Sequence, residues 1–313
     1  MTRKILTVTL NPSVDKFITS SKISSMGRKL QDELVSAGGK GINVSRALHR
    51  LGIMTKATGI IGGSAGRQIS EILKKEGIPS DFLWVKEETR TNVTLKNTSA
   101  KSPKRVMGKG PKVDGNILDR FEAKLKGFLR GCSFVVLSGK NARGAPTDYY
   151  ATLIALIKKA KTRTVLDSSS APLRESLSAK PDIIKPNLEE AEAALGRKLT
   201  SFGKLKGAVK DFHHMGIRIA LLTLAERGAL GCFRGRIWHC RVPKVRGEHA
   251  LGCGDAFLAG FLFASLRGYI FPDALRFAAS CGTINYRAQI PGKIDKADVL
   301  ALLNDITIKE VSS

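Results

Sequence analysis

Three patterns in the sequence predict an α/β protein built on a mostly parallel β-sheet flanked by helices. Short apolar runs alternate with amphipathic stretches, glycines mark many of the turns between them, and two segments break that rhythm with a two-residue period. The 313 residues suit one large domain, 1–313, near the upper size at which a single hydrophobic core keeps growing. No repeat, low-complexity tract or proline-rich linker divides the chain.

Residues 4–10 (KILTVTL) read as a buried strand. Residues 41–52 (GINVSRALHRLG) follow as a helix, with Val44, Leu48 and Leu51 on one face and Gly52 ending it. The pair recurs as 56–62 (KATGIIG) and 66–77 (GRQISEILKKEG). In the second half the same rhythm returns as CSFVVLSG, DYYATLIALIKKAK, RTVLD, DIIKPN, LEEAEAALG and IRIALLTL, so the core extends past the middle of the chain. Two segments differ, Lys16 to Ser36 and Thr89 to Lys112. There KFITSSKI and TRTNVTLKN alternate polar with apolar residues, which predicts a small antiparallel sheet made by two insertions into the core.

Composition narrows the function classes. Lys and Arg number 52 against 27 Asp and Glu, a formal charge of +25 that attracts nucleic acid, anionic membranes or phosphorylated metabolites. The densest basic run, Lys96 to Lys112, has no aromatic residue interleaved for base stacking, which argues against nucleic acid as the partner. No apolar run approaches the roughly 18 residues of a membrane span. Five cysteines without a CxxC pair fit neither a disulfide framework nor a zinc site, and point to the reducing cytoplasm.

The strongest chemical feature is LGCGDAFLAGF at 251–261, a glycine turn feeding an apolar helix. Gly252, Cys253 and Gly254 would present backbone N–H groups at a helix N-terminus, where a phosphate with developing charge can be held. Asp255 is then a candidate general base for a hydroxyl, or simply an N-cap. Cys253 in that turn would have its thiol pKa depressed by the helix end, and would be prone to oxidation. A second glycine turn, Gly38-Gly39-Lys40-Gly41, opens the helix that carries Asn43. This second turn lacks P-loop spacing, and Gly59 to Gly66 (GIIGGSAG) lacks the spacing of a dinucleotide fold. Lys185-Pro186-Asn187 precedes a helix, and Asn187 with Glu190 has capping-box spacing, though the carboxylates could also position Mg²⁺ through waters. Asp15 follows the first strand, where open sheets place ligand contacts, and Arg90 could pair with phosphate.

Taken in order, LNPSVD, AGGKGINVSRAL, ETRTNVTL, KPNLEE and LGCGDAFLAGF resemble the PfkB, or ribokinase-like, carbohydrate kinases over nearly the whole chain. The NPxxD start and the GGKGxN turn are similar to the 1-phosphofructokinase and tagatose-6-phosphate kinase branch. The resemblance implies a ribokinase-like sheet with helices on both faces and a β-sheet lid that closes over the sugar and serves as a homodimer interface. It implies transfer of a phosphoryl group from ATP, with Mg²⁺, to a phosphorylated ketose. Fructose 1-phosphate is the first choice, with tagatose 6-phosphate, fructose 6-phosphate or an unphosphorylated acceptor as alternatives. A sugar-phosphate sensor or a nucleic-acid binding protein on a kinase scaffold is the non-enzymatic alternative. By the same resemblance Asp15, Gly38, Gly39, Lys40, Asn43 and Gly139 would contact the sugar, with Arg90 and one of Arg28 or Lys29 on its phosphate. Gly252, Cys253, Gly254 and Asp255 would supply the anion hole and base. Lys185, Asn187, Thr223 and Gly228 would serve the nucleotide and Glu190 the metal. Three positions depart from the family pattern: Lys140 in LSGK, Ala225 in the nucleotide loop, and His249-Ala250 before the anion hole.

Overall fold

The structure is a computed structural model that describes residues 4–20, 30–97, 104–247 and 249–311. In chain order the first half forms β1 (Lys4–Thr9), β2 (Ser13–Ser20), β3 (Leu30–Gly38), α1 (Lys40–Arg50), β4 (Thr55–Gly62), α2 (Gly63–Lys75), β5 (Leu83–Val85), β6 (Arg90–Asn97), β7 (Lys104–Met107) and α3 (Gly115–Phe128). The second half forms β8 (Cys132–Ser138), α4 (Tyr149–Lys159), β9 (Arg163–Asp167), α5 (Ser170–Ser176), β10 (Ile183–Ile184), α6 (Leu188–Leu195), α7 (Phe202–His214), β11 (Ile219–Thr223), β12 (Ala229–Phe233), β13 (Arg236–Arg241), α8 (Cys253–Leu266), α9 (Phe271–Asn285), α10 (Lys296–Ala301) and β14 (Thr307–Val311).

Ten strands make one sheet in the order β14-β13-β12-β11-β10-β9-β8-β1-β4-β5. Every pair from β11 to β5 is parallel, and the three pairs from β11 to β14 are antiparallel. Strand alternation then separates the core into two layers. Ile5, Phe134, Val136 and Val165 face the layer holding α1, α8 and α9. Leu6, Val8, Val135, Leu137 and Leu166 face the other, which holds α3, α4, α6 and α7. With both faces covered, the central strands read as continuous apolar runs, as the sequence does.

Helix α8 is apolar around its circumference and is buried along nearly all of it, packed on α9 with Phe263 stacked on Phe277 at 4.8 Å. A helix held on all sides gives its first turn a fixed position, which matters because Asp255 lies in that turn.

The two irregular segments meet in a four-stranded sheet, β3-β2-β6-β7. Its outer pairs are antiparallel, but the central pair, β2 with β6, is parallel, so the expected antiparallel sheet is in fact mixed. The reason is topological: β2 and β6 both leave the main sheet in one direction, and β3 and β7 return beside them. That central pairing sets Asp15 directly opposite Asn92.

Candidate active site

Two glycine turns start α1 and α8: the first packs on Thr9 at the C-terminal end of β1, its Lys40 reaches Asp167 at the end of β9, and the candidate site lies between the two helix starts. Gly252, at the N-cap of α8, has φ 77°, a left-handed conformation that strains residues with a Cβ. No side chain caps this helix. The amides of Gly254 and Asp255 therefore face no carbonyl one turn back and carry the positive end of the helix dipole. Lys185 stands over the turn: a Cβ built on Gly254 would lie 3.1 Å from its Nζ.

Asp255 is 5% exposed. Its Oδ2 accepts a hydrogen bond from Asn43 Nδ2 at 2.8 Å. Arg46 fixes that amide, donating from Nη1 to Asn43 Oδ1 at 3.2 Å and to the Pro291 carbonyl, and from Nη2 to the Ala37 carbonyl. With its oxygen against a guanidinium, the amide must turn its nitrogen to Asp255. Burial pushes the Asp255 carboxyl up to about 6, and the Asp167 carboxylate adds to the rise, while Lys40, Asn43 and Lys185 hold it back. A carboxyl poised there can accept a proton at neutral pH.

A chain of alternating charges runs beside Asp255. Lys40 Nζ donates to Asp167 Oδ1 and to Glu190 Oε1, at 3.0 Å each. Lys185 Nζ is 3.3 Å from the same Asp167 oxygen. Burial works against both charged partners. The three carboxylates nevertheless hold the Lys40 ammonium above its ordinary range, and the two lysines hold the fully buried Asp167 below its own. Asn187 forms the expected capping box with Glu190: its side chain accepts from Glu190 N at 2.8 Å, and Glu190 Oε2 accepts from Asn187 N at 2.9 Å. Glu190 thus ties the cap of α6 to Lys40.

On the side of the small sheet, Asp15 Oδ1 accepts from Ser13 Oγ at 2.8 Å and from Asn92 Nδ2 at 2.7 Å. Gly38 presses on this carboxylate, since a Cβ there would fall 2.1 Å from Asp15 Oδ2. Gly39 follows with φ 118° and caps α1. Asp15 therefore abuts the turn whose helix delivers Asn43 to Asp255, so the site residues of the first sixth of the chain meet those of its last fifth. Arg90 donates to the carbonyls of Asn11 at 2.9 Å and Pro12 at 3.3 Å, clamping the entry to the small sheet beside Asp15.

The other expected residues fall around this centre. Gly139, φ 94°, ends β8 and donates its N–H to the Asp167 carbonyl. Thr223 donates to the Pro186 carbonyl, joining β11 to the Lys185-Pro186-Asn187 turn. Gly228 passes under β13, where a Cβ would meet the Cys240 carbonyl at 1.9 Å, so its glycine is required for packing. Ala225 holds φ 52°, a left-handed position that suits the glycine usual in the family pattern. Arg28 and Lys29 lie outside the described residues.

One expectation is overturned. The Cys253 thiol is raised above its ordinary pKa, chiefly by burial and further by the Asp255 carboxylate, against a hydrogen bond from Asn285. Desolvation in a packed turn outweighs the helix end, so the thiol stays protonated and is not activated. Lys40, expected among the sugar contacts, directs its ammonium to Asp167 and Glu190.

Sequence reasoning missed Asp167 and Asn92. Asp167 ends the run RTVLD, and the C-terminal end of a parallel strand is itself a signal for a ligand contact. Asn92 carries no such signal, because only strand register puts it opposite Asp15.

A sequence model of the pfkB family carbohydrate kinases matches residues 8–291. The chain belongs to that family. Its fold is shared with a Thermotoga maritima protein described as a possible 1-phosphofructokinase, at TM-score 0.90 and 25% identity, covering 99% of this chain and 100% of that one. Phosphofructokinase-2 from Escherichia coli, solved with substrates and products, has the same fold at TM-score 0.89 and 23% identity, covering 96% of this chain and 98% of that one. This pfkB-family protein is accordingly a sugar kinase, with a ribokinase-like core and a separate small sheet. Among the described residues no helix is long and apolar enough to cross a membrane.

Proposed function

We propose that this sugar kinase transfers the γ-phosphoryl group of ATP to a hydroxyl of a phosphorylated ketose, converting fructose 1-phosphate to fructose 1,6-bisphosphate. The observation that carries the reading is the buried Asp255 carboxylate in the uncapped first turn of α8, with Lys185 over that turn. In the reaction the acceptor hydroxyl gives its proton to Asp255 as its oxygen bonds to the γ-phosphorus. The bond from that phosphorus to the β–γ bridging oxygen breaks, and ADP leaves. The amides of Gly254 and Asp255 and the Lys185 ammonium stabilise the charge gathering on the transferred group. Asp15, held by Ser13 and Asn92, orients the sugar.

Mg²⁺ fits the residues present. Asp167 Oδ2 is buried without a hydrogen-bond partner among the described residues, and the Glu190 carboxylate lies across Lys40 from it. No cluster of three potential metal ligands occurs among the described residues, which suits an ion that takes one or two carboxylates and fills its shell with waters and phosphate oxygens. When bound, the ion would neutralise phosphate charge in the transition state.

The phosphate already on the sugar would be held by Arg90, whose guanidinium lies beside Asp15, together with Arg28. The test is a panel of fructose 1-phosphate, fructose 6-phosphate, tagatose 6-phosphate and fructose, run on the wild type and on Arg90→Ala. We expect fructose 1-phosphate to give the highest kcat/KM. Loss of a charge-assisted contact should raise its KM by about tenfold or more, with little change for fructose. Preference for the free sugar, with indifference to Arg90→Ala, would overturn the assignment.

A further inference from the structure

The opposite end of the main sheet holds a second concave site. Arg163 begins β9, and Arg218 immediately precedes β11, so both lie at the N-terminal ends of strands whose C-terminal ends face the active cleft. The five-residue β9 alone separates the two ends by roughly 13 Å. Between these arginines and the C-terminal end of α8 lies a cavity of about 160 Å³. Its floor is apolar and buried: Phe134 and Phe261 are each 1% exposed, and Phe271 closes the side.

The charge at its rim is unbalanced. Two guanidinium groups line the cavity against one carboxylate, Asp182. Asp182 Oδ2 is committed, accepting from Thr164 N at 2.8 Å and Thr164 Oγ1 at 2.9 Å. Neither arginine forms an ion pair among the described residues. Each is held against an aromatic face instead, Arg163 3.9 Å from the centroid of Phe134 and Arg218 5.9 Å from that of Phe233. Stacking fixes a guanidinium plane while leaving its edge donors available for bidentate contact with an anion. Burial and repulsion from Arg218 act against the charge on Arg163, Asp182 offsets part of this, and a bound anion would add a second favourable charge.

We propose that this cavity is a binding site for a compact organic anion, with a carboxylate or phosphate head between Arg163 and Arg218 and an apolar body against Phe271 and Tyr269. The size argument is direct: an apolar cavity of about 150 Å³ accepts a guest the size of benzene. A bare inorganic ion would leave the partly exposed Phe271 and Tyr269 uncovered, and a neutral guest would leave the two guanidinium groups without an ion-pair partner among the described residues.

The site is tested by following the backbone amide resonances of Ile183 and Ile219 while titrating benzoate, phenyl phosphate, benzyl alcohol and inorganic phosphate into the full chain. Benzoate and phenyl phosphate should bind saturably, and benzyl alcohol and inorganic phosphate at least tenfold more weakly. Arg163→Gln with Arg218→Gln, both exposed positions, should weaken benzoate at least tenfold without changing sugar-kinase turnover. Asp182→Asn, which keeps an acceptor for Thr164, should tighten it. Equal affinity for benzoate and benzyl alcohol, equal affinity for benzoate and inorganic phosphate, or undiminished benzoate binding in the double variant would overturn the proposal. Because none of these measurements involves Asp255 or the sugar, the proposal and the catalytic reading fail separately.

Discussion

Helices α6 and α8 both begin with a polar signature, and the chain closes one N-terminus and leaves the other open. At α6, Asn187 and Glu190 satisfy each other's backbone amides. At α8 the acidic residue in the first turn, Asp255, turns away from its own helix to Asn43 on α1, and no side chain caps the end. The spacing of an acid from a helix start therefore does not tell a cap from a catalytic group. What separates them is whether a second element supplies a partner that draws the side chain off its own backbone. Here Arg46 orients Asn43, and Asn43 takes the Asp255 carboxylate.

The sharpest way to break this comparison is Asp255→Asn. Removing a general base should lower turnover by about 10²- to 10⁴-fold. The same change should raise Tm at pH 8. A carboxyl whose folded-state pKa lies above its unfolded value binds its proton more tightly when folded, so stability falls as pH rises from about 4 to about 6, and the penalty is complete above that window. Turnover near normal, or a lower Tm in calorimetry, would place Asp255 among the caps.

Lys40→Met is expected to have the next largest effect. Lys40 lowers the Asp255 pKa and pairs with Asp167 and Glu190. In the wild type kcat/KM should fall as pH drops through about 6, as the base becomes protonated. The variant should lose about tenfold or more in kcat/KM, from a charged contact, and its acidic limb should move to higher pH. A pH–rate profile with an unmoved limb would show that Lys40 and Asp255 are not electrostatically coupled.

The smallest effect belongs to the closed helix end. Asn187→Ala should cost about 1 kcal/mol in chemical denaturation, and Asn187→Asp should recover most of it, since aspartate is also a good N-cap. Equal losses in the two variants would mean that Asn187 contributes something other than the cap.

The parallel core was legible because its strands are buried on both faces and announce themselves as apolar runs between glycine turns. The small sheet was legible as two segments of period two, but its mixed pairing was not, because period two is the same in parallel and antiparallel strands. Among site residues, Asp255, Asn43, Lys185 and Asp15 sit in or beside turns whose local chemistry is visible. Asn92 is not visible in that way, since its role depends on facing Asp15 across a strand pair.

Local sequence determined where many of the core strands and helices lie, which glycine turns open helices, and which carboxylates stand at helix or strand ends. These follow from short-range sterics and the apolar period. Only the tertiary structure decided that Asp255 faces Asn43, that Lys40 bridges Asp167 and Glu190, and that burial raises rather than lowers the Cys253 thiol. Desolvation and charge pairing depend on atoms from other elements, more than a hundred residues away for the Asp255–Asn43 and Lys40 contacts, and no local pattern encodes them.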